Sequence, residues 1–122
     1  MSETHVHELD VAVPGGVVHA YDTGPATAPD GRPALPLVWC HGTPNLGAPP
    51  RPMLEPARRL GLRFVSYDRP GYGGSTARPD RSVGSAAADV AAVLDALGLD
   101  RCAVIGHSGG GPHALACAAL LR

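Results

Sequence analysis

Cys102-Ala103-Val104-Ile105-Gly106-His107-Ser108-Gly109-Gly110-Gly111-Pro112-His113 is the stretch that decides how this chain of 122 residues folds. Its first four residues form a short continuous apolar run, the mark of a strand covered on both faces. Its end leads into an apolar helical segment, His113 to Leu121. Between the two, Gly106-His107-Ser108-Gly109-Gly110 fits G-x-S-x-G, a sharp strand-to-helix turn. The central residue of such a turn is held in a strained backbone conformation, and the residues two before and two after it crowd together. Both flanking residues must be tiny, and here Gly106 and Gly110 serve as elbow support. The turn lifts the Ser108 hydroxyl off the sheet and sets it at the positive end of the next helix. A Gly-rich chain matches this pattern by chance, so the strand before it and the helix after it carry the weight.

Upstream, residues 7–13 alternate apolar and polar with His7, Leu9, Val11 and Val13 on one parity, as a half-buried strand does. Pro14-Gly15-Gly16 breaks the run and Val17 to Tyr21 resumes it, which predicts a hairpin. Gly24 to Pro36 holds four prolines and two glycines and reads as a surface connection. Leu37 to Cys40 is a second buried strand and Arg63 to Tyr67 a third. Met53 to Leu60 predicts a short helix closed by Gly61; Pro56 lacks an amide hydrogen and would break a helix that began much earlier. Val83, Ala87, Val90, Leu94 and Leu97 share one helical stripe, with Ser82 as a cap and Gly98 as a stop. The order β-β-β-α-β-α-β-α predicts a single α/β domain over 1–122, a parallel sheet with helices on its faces after an opening hairpin.

His41-Gly42-Thr43-Pro44 follows the strand 37–40. Acyl transfer needs two amide hydrogens aimed at the oxygen that becomes negative, and losing one donor costs about 3–4 kcal/mol. The residue after the nucleophile, Gly109, supplies one. Thr43 can supply the other if its strand lies beside the strand that leads to Ser108. With Asp68-Arg69-Pro70-Gly71-Tyr72-Gly73-Gly74-Ser75 as a third segment, the chain resembles the α/β-hydrolase superfamily over essentially its whole length. The resemblance implies sheet order 1-2-4-3-5, Ser108 as catalytic nucleophile, and the Thr43 and Gly109 amides as oxyanion hole. It implies a structural turn, without a catalytic role, for residues 68–75.

That family runs its triad in the order nucleophile, acid, histidine. Only fourteen residues follow Ser108, with no Asp or Glu among them and His113 the one histidine. The expectation is therefore the N-terminal part of a serine hydrolase acting on esters or amides through an acyl-enzyme, inactive alone because the triad acid and base are missing. The alternative is a non-catalytic relic, or half of an enzyme completed by a second polypeptide. His41 borders the site and is the best local candidate for a base, His113 lies part-way round the helix, and the His107 side chain should point away from the hydroxyl. Ser at 108 argues against the dehalogenase and epoxide-hydrolase branches, which use a carboxylate; an esterase or iminopeptidase-like amidase is expected, with substrate identity open. Gly109-Gly110-Gly111-Pro112-His113-Ala114 also matches a loosened dinucleotide fingerprint, but the acidic residue expected about 20 positions on is absent.

Composition narrows the partners. At 17% charged and net charge −1 the chain has no basic face for nucleic acid, and 44% apolar residues supply a core. No run approaches the roughly 18 apolar residues of a membrane span, and Met-Ser-Glu-Thr-His is not a secretion signal; a cytoplasmic protein with a small-molecule substrate is expected. Cys40, Cys102 and Cys117 form no C-x-x-C pair and read as small buried hydrophobes. His5 and His7 make a His-x-His pair without a third ligand, so neither a metal nor an organic cofactor is implied. Ending after the helix that follows the fifth strand would leave that strand as an unpaired parallel edge, inviting self-association.

Overall fold

The computed structural model describes residues 5–43 and 45–121, so Pro44 of the loop motif and the first four residues lie outside the described residues. In chain order the elements are β1 (His7–Val13), β2 (Gly16–Asp22), β3 (Leu35–Cys40), α1 (Arg51–Arg59), β4 (Leu62–Tyr67), α2 (Ala86–Ala96), β5 (Ala103–Gly106) and α3 (Gly111–Leu120). The strands form one mixed sheet in the order β1-β2-β4-β3-β5. β3 runs parallel to both β4 and β5, while β2 is antiparallel to β1 and to β4. The expected hairpin and the expected strand order are both present.

Alternation along the central strands explains why both faces of the sheet are covered. Val38 and Cys40 on β3, with Val65 and Tyr67 on β4, turn to the face packed by Val90, Val93 and Leu94 of α2 and by Cys117 of α3. Leu37 and Trp39, with Leu62 and Phe64, turn to the other face and meet Leu54 and Ala57 of α1. Successive strand residues point to opposite faces, so a continuous apolar run is what a doubly covered strand requires. Cys40 and Cys117 are fully buried free thiols, in keeping with their reading as core residues, and Cys102 is half-buried.

Several boundaries differ from the sequence expectation by a residue or more, and three of them have a physical reason. β3 begins at Leu35 and carries Pro36 opposite Arg63 of β4, while β5 pairs only from Leu37 onward. Pro36 thus sits where one side of the strand has no neighbour and no amide hydrogen is missed. α1 starts at Arg51, with Pro at its first turn, and keeps Pro56 inside; the lost bond is the one to Pro52, one turn earlier, and the helix continues past it. α2 starts only at Ala86, because Ser82 and Ser85 close a turn on each other through reciprocal side-chain to backbone bonds of 3.2 Å. Val83 therefore leaves the buried stripe and is exposed.

Candidate active site

The site forms where β3, β4 and β5 end together. Cys40 is in register with Tyr67 on one side and Gly106 on the other, and the His107 amide donates to the Cys40 carbonyl at 3.1 Å. The residues that follow each strand, 41–43, 68–75 and 107–110, therefore converge at the carboxyl edge of the sheet. This is where open α/β sheets place their ligands.

Ser108 has φ +52°, and among the described residues it is the one non-glycine with positive φ. It opens a single 3-10 turn, Ser108–Gly110, that runs directly into α3. Conformations of this kind cost on the order of 1–3 kcal/mol and persist only where the surroundings enforce them. The surroundings here are the two glycines. A Cβ on Gly106 would stand 2.5 Å from the Gly110 carbonyl oxygen, and one on Gly110 would overlap the Cys40 carbonyl. The elbow is thus locked against β3 as well as folded on itself. Ser108 is exposed, and its hydroxyl has no partner among the described residues.

Thr43 and Gly109 face each other across this edge. A Cβ built on Gly109 would lie 3.2 Å from the Thr43 hydroxyl and 3.4 Å from the Thr43 amide nitrogen. No acceptor among the described residues takes the amide hydrogen of either residue. Gly42 is equally confined, since a side chain there would press on the His107 carbonyl at 2.9 Å and on Ser108 Cβ at 3.2 Å. Two uncommitted donors and an exposed hydroxyl on a strained turn therefore lie at one edge.

The histidines near the elbow are engaged with neighbours other than the Ser108 hydroxyl. His41 is completely buried. Its Nδ1 donates to the Gly42 carbonyl at 2.9 Å and its Nε2 accepts the Arg69 amide hydrogen at 3.0 Å, a pattern that assigns the neutral tautomer. With both ring nitrogens occupied, His41 has no lone pair to offer Ser108, and burial pushes its pKa down. His113 turns inward: its Nδ1 donates to the Gly109 carbonyl at 2.9 Å and its Nε2 accepts from Arg69 at 3.2 Å. Burial lowers its pKa too. His107 stacks on Trp39 with ring centroids 5.7 Å apart. His5 and His7 meet edge to face at 4.4 Å, and among the described residues no group of three His, Cys, Asp or Glu could hold a metal.

Sequence reasoning missed Arg69. The 68–75 loop is structural in part, as expected. Buried Asp68 accepts the Tyr21 hydroxyl at 3.0 Å and the amides of Gly47 at 2.6 Å and Gly74 at 3.0 Å. The next residue turns the other way, into the site. The Arg69 guanidinium donates to the Thr43 hydroxyl at 3.0 Å and, at a long 3.4 Å, to the Gly109 carbonyl. Its Cζ lies 5.0 Å from the centre of the Tyr72 ring, whose hydroxyl is 3.0 Å from the Thr43 hydroxyl. The available signal was position: a basic residue two positions after the end of β4, the strand that adjoins β3 in the sheet.

Comparison with known proteins agrees with this fold. The family described as "alpha/beta hydrolase fold" matches residues 36–121. An epoxide hydrolase of Caballeronia sordidicola is 31% identical over 120 residues, which are 96% of this chain and 34% of that protein. An sn-1-specific diacylglycerol lipase of Mus musculus is 33% identical over 91 residues, 70% of this chain and 29% of that protein. Among solved structures, a mutant of the N-acyl homoserine lactonase AidH complexed with N-hexanoyl homoserine superposes with a TM-score of 0.74 at 26% identity, over 94% of this chain and 41% of that one. The chain spans about a third of the length of the curated relatives it matches. No helix among the described residues is long and apolar enough to cross a membrane. With three strand ends converging on a strained serine between a buried strand and a helix, and the family matched from β3 to the end of α3, the chain belongs to the α/β-hydrolase fold family.

Proposed function

We propose that this chain carries the nucleophile and the oxyanion hole of a serine hydrolase that cleaves ester or amide bonds through an acyl-enzyme. Hydrolase chemistry in general follows from the family. The serine mechanism rests on one observation: Ser108 stands at φ +52°, beside the uncommitted amides of Thr43 and Gly109. In this reading Ser108 Oγ attacks the carbonyl carbon, its proton leaves to a base, and the carbonyl oxygen takes the negative charge between those two amides. Collapse expels the alcohol or amine, and water then releases the acid.

The relatives' names divide between epoxide hydrolases, a curated relative and several solved structures, and enzymes of acyl–oxygen bonds, a lipase and a lactonase. The chemistry of the side chain favours the second class. A serine oxygen that opened an epoxide would be left as an ether, with no carbonyl for water to attack, and the enzyme would be spent after one event. An acyl-serine is an ester and turns over.

His41 and His113 are committed to hydrogen bonds and His107 stacks on Trp39, so none of the three imidazoles is bonded to the Ser108 hydroxyl as its base. A serine without its base is a weak nucleophile. Efficient turnover would therefore require residues beyond this chain, from the same or another polypeptide, and this observation also favours the second reading of a half-enzyme or relic. A cytoplasmic setting suits three free cysteines, and the apolar edge of β5 suits self-association. Hydrolysis of a p-nitrophenyl ester by the chain should exceed that of the Ser108→Ala form. Equal rates would remove Ser108 from the chemistry.

A further inference from the structure

Arg69 is 4% exposed and has no carboxylate within ion-pair distance among the described residues. Every buried acid nearby is engaged elsewhere: Asp68 with Tyr21, Gly47 and Gly74, and Asp89 with Arg78 at 2.6 Å. Asp22 is held by Arg63. The contrast with Arg63 is instructive, because that guanidinium lies in a comparable depth of protein and is paired bidentately at 2.6 and 2.8 Å. Arg69 is instead held by neutral groups: the Thr43 hydroxyl, the Gly109 carbonyl, the His113 ring and the face of Tyr72. Its Nε–H has no acceptor among the described residues. A buried charge without a counter-ion is costly, and folds discard such charges unless something repays them.

Its neighbours show where the missing negative charge belongs. Beside its bond to the His113 ring, the guanidinium bonds the two residues whose amides are uncommitted, Thr43 through its hydroxyl and Gly109 through its carbonyl. Resting on the reading of Thr43 and Gly109 as an oxyanion hole, we propose that Arg69 is a positioning residue for that hole: it ties the two donor residues at a fixed separation and supplies the standing positive charge that the substrate oxyanion pairs with from the far side. Arg69 does not touch substrate. Its groups that face the site are all engaged, so its effect passes through Thr43 and Gly109 and through space. A fixed, buried charge needs no reorganisation when the oxyanion forms, and such preorganisation is what makes electrostatic stabilisation large.

Phenylboronic acid tests this without requiring turnover. Ser108 Oγ forms a bond to boron while its proton passes to solvent, giving a four-coordinate anion whose boron resonance is distinct from that of the free acid. The full chain should form this adduct and the Ser108→Ala chain should not. Arg69→Met should bind at least tenfold more weakly, and Arg69→Lys, which keeps the charge but cannot fork to both residues, should recover part of the loss. Thr43→Val, which removes the hydroxyl but neither the amide nor Arg69, should weaken the adduct severalfold while the chain remains folded; it keeps the test open if Arg69→Met unfolds. Recovery by Lys is the result that a merely structural arginine would not give. Failure of the unaltered chain to form the adduct, or an adduct that survives Ser108→Ala, overturns the serine reading and this inference with it. An adduct that depends on Ser108 but is equally strong in Arg69→Met and Thr43→Val overturns the role of Arg69 alone.

Discussion

A Cβ built on Gly110 would overlap the Cys40 carbonyl and stand 2.7 Å from that of His41, whereas one on Gly111 would meet nothing within 4 Å. Neighbouring glycines in one sequence run thus have opposite reasons for being there. Gly110→Ala must push β3 and the elbow apart, and should cost about 3 kcal/mol or abolish folding, the upper range for overpacking. Gly111→Ala, at the start of α3 with helical φ, should be neutral or gain roughly 0.5 kcal/mol. Urea denaturation of the two variants checks the pair, and equal midpoints would show that the elbow is not wedged against β3. The buried histidines give a prediction in pH. Burial lowers the pKa of both His41 and His113 below the ordinary imidazole value of 6.5. The unfolded chain then binds more protons than the folded one as pH falls below that value, so stability declines until the folded-state pKa is reached. His19 works against this trend: the hydrogen bonds it donates to the Asp10 and Glu8 carboxylates raise its pKa, and its contribution is present at low pH and lost as pH rises through the raised value. In a His19→Asn background the thermal midpoint should therefore fall steadily from pH 7.5 to 5.5. A flat profile would mean that both rings are free to protonate in place.

Elements carry the next level of constraint, and here the legibility of the sequence divides by mechanism. β3 is readable because a doubly covered strand is written as an unbroken apolar run. β5 carries such a run too but is only half-buried, with Ile105 exposed where the sequence predicts cover on both faces. The elbow is readable because its glycines have a steric cause that spacing alone reveals. The start of α2 was not, because Ser82 and Ser85 close a local turn that competes with helix, and a 3.6-residue stripe says nothing about that competition. Arg69 was invisible for a different reason: its partners Thr43, Gly109 and His113 lie 26 to 44 residues away in sequence. The same holds for Asp22 and Arg63, which clamp the end of β2 to β4 with side chains 7% and 11% exposed. Burial raises the Asp22 carboxyl, but the bonds from Arg63 and the Gly24 amide outweigh it and hold the pKa below its ordinary value. The stability it contributes is thus present at neutral pH and lost only as pH falls through that lowered value. Asp22→Asn leaves a buried guanidinium without its counter-charge and should cost about 3 kcal/mol. Replacing both partners, Asp22→Leu with Arg63→Met, should cost less than the single change. Chemical denaturation of the three forms measures this, and a double variant less stable than Asp22→Asn would contradict the desolvation argument.

The whole molecule has two sheet edges, and they differ in chemistry. β1 lines its outer edge with His7, Glu8 and Asp10, all exposed, and charged side chains on an edge discourage another strand from pairing. β5 offers Ala103, Val104, Ile105 and Gly106, with no charge and with β3 as its one strand neighbour. Beside it a cavity of about 400 Å³ is lined by Leu94, Cys102, Val104, Cys117, Ala118 and Leu121 among others, and Ile105, Leu115 and Leu120 stand exposed nearby. An edge strand with free backbone donors and acceptors, backed by an apolar cavity, is a template for pairing. The chain should therefore associate with itself in a concentration-dependent way, and sedimentation velocity across a hundredfold range of concentration should show the weight-average mass rising. Ile105→Lys places a charge on that edge without touching the buried clusters, and should shift the population toward monomer while leaving the thermal midpoint of dilute protein unchanged. Glu8→Ala, at the opposite edge, should leave the association as it was. If the unaltered chain stays monomeric throughout, the β5 edge is better protected than its composition indicates. If Glu8→Ala enhances association as strongly as Ile105→Lys suppresses it, pairing runs through β1 instead, and the contrast between the two edges loses its force.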